Sequence, residues 1–433
     1  MKIEEEYRLY IEKHKFECKK NALEINDAII HSELNAGGNN YTHTLHIPKF
    51  FTLEDRQIFS EIVNQTYTIF EKVIQAYKKD ESIRRLFSFS KTLEQLILLE
   101  NPYSSLIPIC RIDLFYNEEN KDFYFCEFNT DGTAAMNENQ RLNALLSMHH
   151  IFKQDKRKYE YMELVQSWVN EFLKIASQAD MPKHPMIAIV DFLDHAYLNE
   201  LYVFQEEFKK AGCQCEVLDV KDLVYKEGHL YSKYTNRAID LIYRRAVTSD
   251  LFERKEQAKD FFQAAENQAV CLVGSFQTEI VHHKDIMKLL FHPLLQAYFT
   301  NEECQFIQKH CPQTFDWNSE LKLDLSNKEQ WILKPKDSFG AKGVFAGIDL
   351  DEKNWLKILK DTKDKDYIIQ RYIKPYKTWN IDLARHDDFQ EFINMTGLYV
   401  FNGKFYGVYS RLSDSGIISS QYNERTIPTL FVL

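Results

Sequence analysis

Residues 110–129 leave this chain little choice of local fold. Cys-Arg-Ile-Asp-Leu-Phe-Tyr (110–116) and Phe-Tyr-Phe-Cys-Glu-Phe-Asn (123–129) flank the polar stretch Asn-Glu-Glu-Asn-Lys-Asp (117–122). Two strand-like runs around a polar turn predict a β-hairpin. Alternate residues of a strand share a face. Arg111 and Asp113 therefore point one way, as do Glu127 and Asn129, with apolar neighbours on the other side.

That pattern has a chemical reading. Hard oxygen ligands suit Mg²⁺, which is held by one or two carboxylates together with substrate phosphates and waters. An adjacent arginine suits the charge of a phosphoryl group in transfer. The plainer alternative is an exposed hairpin with charges on its wet face.

A second block lies far downstream, Trp-Ile-Leu-Lys-Pro-Lys-Asp-Ser-Phe-Gly-Ala-Lys-Gly-Val-Phe (331–345). A short apolar strand enters a loop with Gly340 and Gly343, accompanied by Lys334, Lys336 and Lys342. Glycine lets backbone approach a ligand, successive N–H groups can cradle phosphate, and lysine adds a point charge. The loop is neither a Walker A sequence nor G-x-G-x-x-G, and a hairpin turn with solvated lysines would look similar. In Tyr-Ile-Ile-Gln-Arg-Tyr-Ile-Lys-Pro-Tyr (367–376) an apolar strand followed by a polar break could meet an adenine edge, with Gln370 a candidate contact; an ordinary buried strand is the alternative. In the third block, Phe401-Asn-Gly-Lys404 carries the strongest short hairpin signal. Arg411 ends its second strand, before a Ser/Gly segment, placed to meet a phosphate or carboxylate or to form a surface ion pair.

Together these blocks resemble the glutathionylspermidine synthase family, whose synthetase domain is a variant ATP-grasp fold. The R-x-D…E-x-N hairpin is the specific part, and here, as in that family, it precedes the K-P…G…G loop. The resemblance implies a catalytic role for Arg111 and magnesium ligation by Asp113, Glu127 and Asn129. It implies phosphate binding by Lys334 and by Lys284, which opens a helical stretch, and a second active-site arginine in Arg411. It covers roughly residues 105–430, strongly at the ends and weakly between. Family members with two activities carry an N-terminal thiol amidase domain, for which there is no room here. The segment Thr130–Asn139, near the thiol-peptide substrate in the family, is only loosely similar.

The 433 residues exceed one typical domain. A net charge of −10 argues against a nucleic-acid role, which usually needs a basic footprint. No apolar run reaches the length of a membrane span. The start, Met-Lys-Ile-Glu-Glu-Glu-Tyr, is too acidic for a signal peptide. The eight cysteines form no repeated C-x-x-C framework and read as small core residues. Cys213-Gln-Cys215 lacks a partner pair for metal, and the pairs His149-His150 and His282-His283 lack a clear third ligand. A reducing cytoplasm is the expected setting.

The expected fold is mixed α/β: an ATP-grasp-like fold with a small Rossmann-like accessory domain and a helical N-terminal region. Residues 1–180 form that helical region, including the hairpin (101–130) and an amphipathic helix from Leu53 to Lys79. Residues 181–270 read β-α-β, with strands near 186–190, 215–220 and 239–245 and a helix ending at Ala211-Gly212. Arg244 and Arg245 end the third strand, where open α/β sheets bind ligands; either could hold a substrate carboxylate or be a surface cation. Residues 271–433 form the nucleotide-binding lid and C-terminal strands. The implied activity is an ATP- and Mg²⁺-dependent, ADP-forming ligase that joins a small-molecule or peptide carboxylate to an amine through an acyl phosphate. A phosphotransferase and a noncatalytic nucleotide-binding protein are the alternatives.

Overall fold

The computed structural model describes residues 3–35, 41–336, 341–419 and 423–433. The hairpin forms as Ile109–Tyr116 and Phe123–Asn129, and it belongs to a larger six-stranded antiparallel sheet. Ile109–Tyr116 pairs on its other side with Gln390–Phe401, which pairs in turn with Lys404–Ser413. Asn402 and Gly403 join those last two strands with φ of 48° and 78°, the left-handed pair that a two-residue hairpin turn requires. The apolar side of the hairpin, including Ile112, Leu114, Phe125 and Phe128, shares a core with the helix Leu53–Lys79 through Phe59, Val63 and Phe70. Thr52 and Asp55 start that helix with a reciprocal capping box.

A second sheet is wholly parallel, in the order Cys271–Val273, Leu241–Arg244, Met186–Asp191, Gln214–Asp219. The helix Leu198–Lys210 connects the last two. The sheet thus takes in a strand just past residue 270. Three residues are too few to show a period, so the sequence gives no sign of that strand.

A third, antiparallel sheet runs Thr314–Asp316, Tyr367–Arg371, Trp331–Pro335, Phe345–Ala346. It has a core of its own, in which Trp317, Trp331 and Leu333 meet Trp355 and Leu359 of the helix Glu352–Thr362. Near the chain ends, Lys49–Phe51 lies parallel to Thr429–Val432, which also pairs with Tyr159–Glu160. Early and late parts of the chain therefore share one small sheet. Among the described residues no helix is long and apolar enough to cross a membrane. The eight cysteines are all free thiols.

Candidate active site

Strand register builds the site. Asp113 lies opposite Glu127, and Arg111 opposite Asn129. One strand further, Gly397 lies opposite Asp113 and Tyr399 opposite Arg111; beyond that, Tyr409 faces Gly397 and Arg411 faces Met395. A Cβ on Gly397 would stand 2.8 Å from both Arg111 Cδ and Asp113 Oδ1. The bare backbone at that point lets the two side chains lie across the strand, a common reason for glycine inside a sheet.

Asp113 is fully buried and gathers its neighbours. It accepts from Arg111 Nε (2.7 Å) and Nη2 (3.1 Å), from Asn129 Nδ2 (2.9 Å) and from Arg411 Nη2 (2.5 Å). Arg111 Nη1 also donates to the Ala134 carbonyl at 3.1 Å. Burial works against the charge of both guanidiniums, but Asp113, helped by Tyr399 and Tyr409 at Arg111 and by Glu424 and Tyr409 at Arg411, holds them above their ordinary pKa. One carboxylate thus aligns two arginines.

These arginines face a cavity of about 370 Å³, together with Glu127, Asn129, Lys284 and Lys334. Burial in the wall would raise the Glu127 carboxyl; Lys284, Lys334, Arg411 and Arg111 overcome that and bring it down to about 2. Glu127 is therefore ionised at any pH near neutrality. Lys334, at the end of an inner strand, donates to the Cys126 carbonyl at 3.3 Å, which brings the third sheet against the hairpin. Gln370 also lines the cavity, its Nε2 fixed by Thr314 Oγ1 at 2.8 Å.

Other candidates from the sequence are placed differently. Lys336 lies outside the set of described cavity residues and is engaged by Asp316 at 2.7 Å and Asp285 at 3.4 Å. Gly343 has φ of 74°, and a Cβ there would meet Pro335 Cγ and Tyr367 Oη at 3.0 Å, so glycine serves the turn while its neighbours Ala341 and Val344 line the cavity. Gly340 falls outside the described residues. Arg244 is buried in an ion pair with Asp131 and also donates to the Ala246 carbonyl at 2.9 Å. Arg245 is buried against Glu200 at 2.9 Å. Both bind neighbouring elements together and are neither surface cations nor open ligand contacts.

The donor set can be tested against magnesium. Glu127 offers an ionised carboxylate, and Asn129 offers Oδ1, which accepts no hydrogen bond among the described residues. Asp113, by contrast, has both oxygens taken by arginine and asparagine N–H groups. Among the described residues no three His, Cys, Asp or Glu side chains converge as a metal cage. A site with one carboxylate and one amide fits an ion completed by phosphate oxygens and water.

Sequence reasoning missed Glu138, Tyr409 and Glu424, which form another wall of the cavity, and the role of Gly397. A glycine in the middle of the apolar run 392–401 was the available signal for the last of these.

The overall fold is consistent with a glutathione synthetase-like one. It is similar to a glutathione synthetase-like effector from Globodera pallida in its apo form, with a TM-score of 0.65 and 12% identity, over 95% of this chain and 96% of that one. A γ-glutamylcysteine synthetase-type protein from Methylobacillus flagellatus aligns over 84% of this chain and 87% of that one, at 10% identity and a TM-score of 0.41, too distant to carry an argument. No protein-family model and no curated protein matches the sequence.

Proposed function

We propose that this protein is an ATP-dependent, ADP-forming ligase of the ATP-grasp type, joining a carboxylate to an amine as its resemblance to glutathionylspermidine synthase implies. The observation that carries the reading is the convergence of Arg111, Arg411, Lys284 and Lys334 on Glu127 in one cavity. A carboxylate is a poor acyl donor because its leaving group would be oxide. In the proposed reaction its oxygen attacks the γ-phosphorus of ATP and the bond to ADP breaks, giving an acyl phosphate. The amine nitrogen then forms a bond to the acyl carbon, and phosphate leaves with the electron pair.

Both steps develop negative charge on oxygen, so positioned cations do most of the catalysis. Lys284 and Lys334 hold the phosphates. Arg111 and Arg411 meet the transferring phosphoryl and acyl oxygens. Gln370 and the segment after it bound the nucleotide, and Ala341 and Val344 line the same cavity. Glu127 and Asn129 would hold Mg²⁺, which when bound neutralises phosphate charge. Asp113, expected from the resemblance as a third ligand, serves instead to fix the two arginines.

The test is Mg²⁺-ATP-dependent ADP release with hydroxylamine as surrogate amine, across a panel of carboxylates that includes glutathione and free amino acids. ADP and a hydroxamate appearing together for one acid is the expected result. ADP with a stable phosphate ester and no hydroxamate would replace this reading with a phosphotransferase. No ADP from any acid, with ATP still bound, would favour a noncatalytic protein.

A further inference from the structure

The cavity has a second wall of opposite sign. Glu138 stands in the first turn of the helix Met136–Leu145, and Glu424 directly precedes the strand Arg425–Ile427. Tyr409 joins them: its hydroxyl lies 2.5 Å from Glu138 Oε2, 3.2 Å from Glu424 Oε1 and 3.0 Å from Thr426 Oγ1. A phenol has one hydrogen to donate, so it cannot satisfy both carboxylates at once. Glu138 has no ion pair among the described residues, and Glu424 has Arg411 Nη1 at 3.4 Å and a hydrogen bond from Thr426 Oγ1 at 3.4 Å. A ligand that brings several N–H donors and a positive charge would complete the set.

The position of this wall is also informative. The guanidinium carbons of Arg111 and Arg411 lie 5.3 Å and 5.4 Å from the centre of the Tyr409 ring. The Tyr409 side chain thus contacts both the arginines that meet the acyl phosphate in the proposed reaction and the two glutamates. A cation held by the glutamates would sit beside the bond to be formed.

We propose that Glu138 and Glu424, bridged by Tyr409, bind the amine substrate as a primary ammonium ion, and that Glu138 is the base that frees its nitrogen. This rests on the ligase reading. An N–H bond of the ammonium breaks, its proton passes to a Glu138 oxygen, and the electron pair stays on nitrogen. The neutral amine forms the C–N bond as the C–O bond to phosphate breaks. The second N–H proton leaves with phosphate, and Glu138 returns its proton to solvent. The groups facing Glu138 suit this task. Burial raises its carboxyl, Glu424 and Glu200 raise it further, and the Tyr409 hydrogen bond and Arg111 oppose them, leaving it at about 7. A base is most effective when its pKa lies near the working pH.

Calorimetric titration of the full chain with 1,4-diaminobutane and with ethanolamine, both cations at pH 8, tests the subsite without catalysis. At least tenfold weaker binding is expected in Glu138→Gln and Glu424→Gln, with circular dichroism confirming the fold. Wild-type affinity should also fall about tenfold from pH 8 to pH 6, since a single group of pKa near 7 is nine-tenths ionised at the first and one-tenth at the second. That arm stands if a glutamine variant fails to fold. Unchanged affinity in the variants, a flat pH dependence, or no binding of either amine by the wild type would overturn the proposal. Failure of the ligase reading shows separately, as absence of ADP release with hydroxylamine.

Discussion

Replacing Asp113 by asparagine exchanges one oxygen for nitrogen and tests what this carboxylate is for. Asp113 is fully buried and accepts four hydrogen bonds from Arg111, Asn129 and Arg411. The variant leaves two buried guanidiniums without their shared counter-ion and turns an N–H group toward donors. Breaking a buried ion pair from one side costs about 3–5 kcal/mol. At roughly 1.4 kcal/mol per factor of ten, opening of this part of the sheet becomes about a hundred to several thousand times more frequent. Hydrogen exchange with mass-spectrometric readout, with EDTA present, measures this locally. Peptides from 109–116 and 404–413 should exchange faster by that factor, while peptides from 331–335 and 367–371 should change little. A residue whose role was to hold a metal would behave in the opposite way, because removing it would relieve repulsion with Glu127. Unchanged or slower exchange of the hairpin in Asp113→Asn would refute the assignment of Asp113 as the anchor of the arginines.

Gly397→Ala introduces a carbon 2.8 Å from Arg111 and Asp113 and should lower ADP release at least tenfold while the protein remains folded. Wild-type activity in that variant would show that the arginine position is not critical. Lys334→Ala should weaken ATP binding about tenfold and Lys336→Ala by less than threefold, as read by direct ATP titration, since only Lys334 faces the cavity. Glu138 binds its proton more tightly folded, at about 7 against an ordinary 4.5. Wild-type stability therefore falls as pH rises from about 4.5 through 7, and 2.5 units at about 1.36 kcal/mol each set a ceiling of about 3 kcal/mol. Glu138→Gln should thus be the more stable protein at pH 8 and lose that advantage near pH 4.5, as urea denaturation at the two pH values would show.

What the sequence made legible was mainly local. The hairpin shows in a period of two, the Asn402-Gly403 turn in its residue types, and the Leu53–Lys79 helix in its apolar stripe. The parallel sheet followed from β-α-β order. Pairing between Ile109–Tyr116 and Gln390–Phe401 depends on contacts remote in sequence, and no periodicity announces it. The role of Gly397 and the contact of Arg411 with Asp113 follow from that pairing, so they were hidden with it. Lys336 accompanied Lys334 as a candidate, but the strand ends at Pro335 and alternation no longer orients the later lysine. Arg244 and Arg245 sit at strand ends as expected, yet Asp131 and Glu200, from other elements, bury their charge. Glu138 and Glu424 were obscure because each has meaning only beside the other.

The separate core of the third sheet has an optical consequence. Of five tryptophans in the chain, Trp317, Trp331 and Trp355 belong to it. Cations lie near two of their rings, Arg371 at 4.5 Å from Trp331 and Lys363 at 5.4 Å from Trp317. Intrinsic fluorescence of this protein is therefore weighted toward one unit, the one that supplies Lys334 and Gln370 to the cavity. Emission recorded during nucleotide titration follows the surroundings of that unit with no added label.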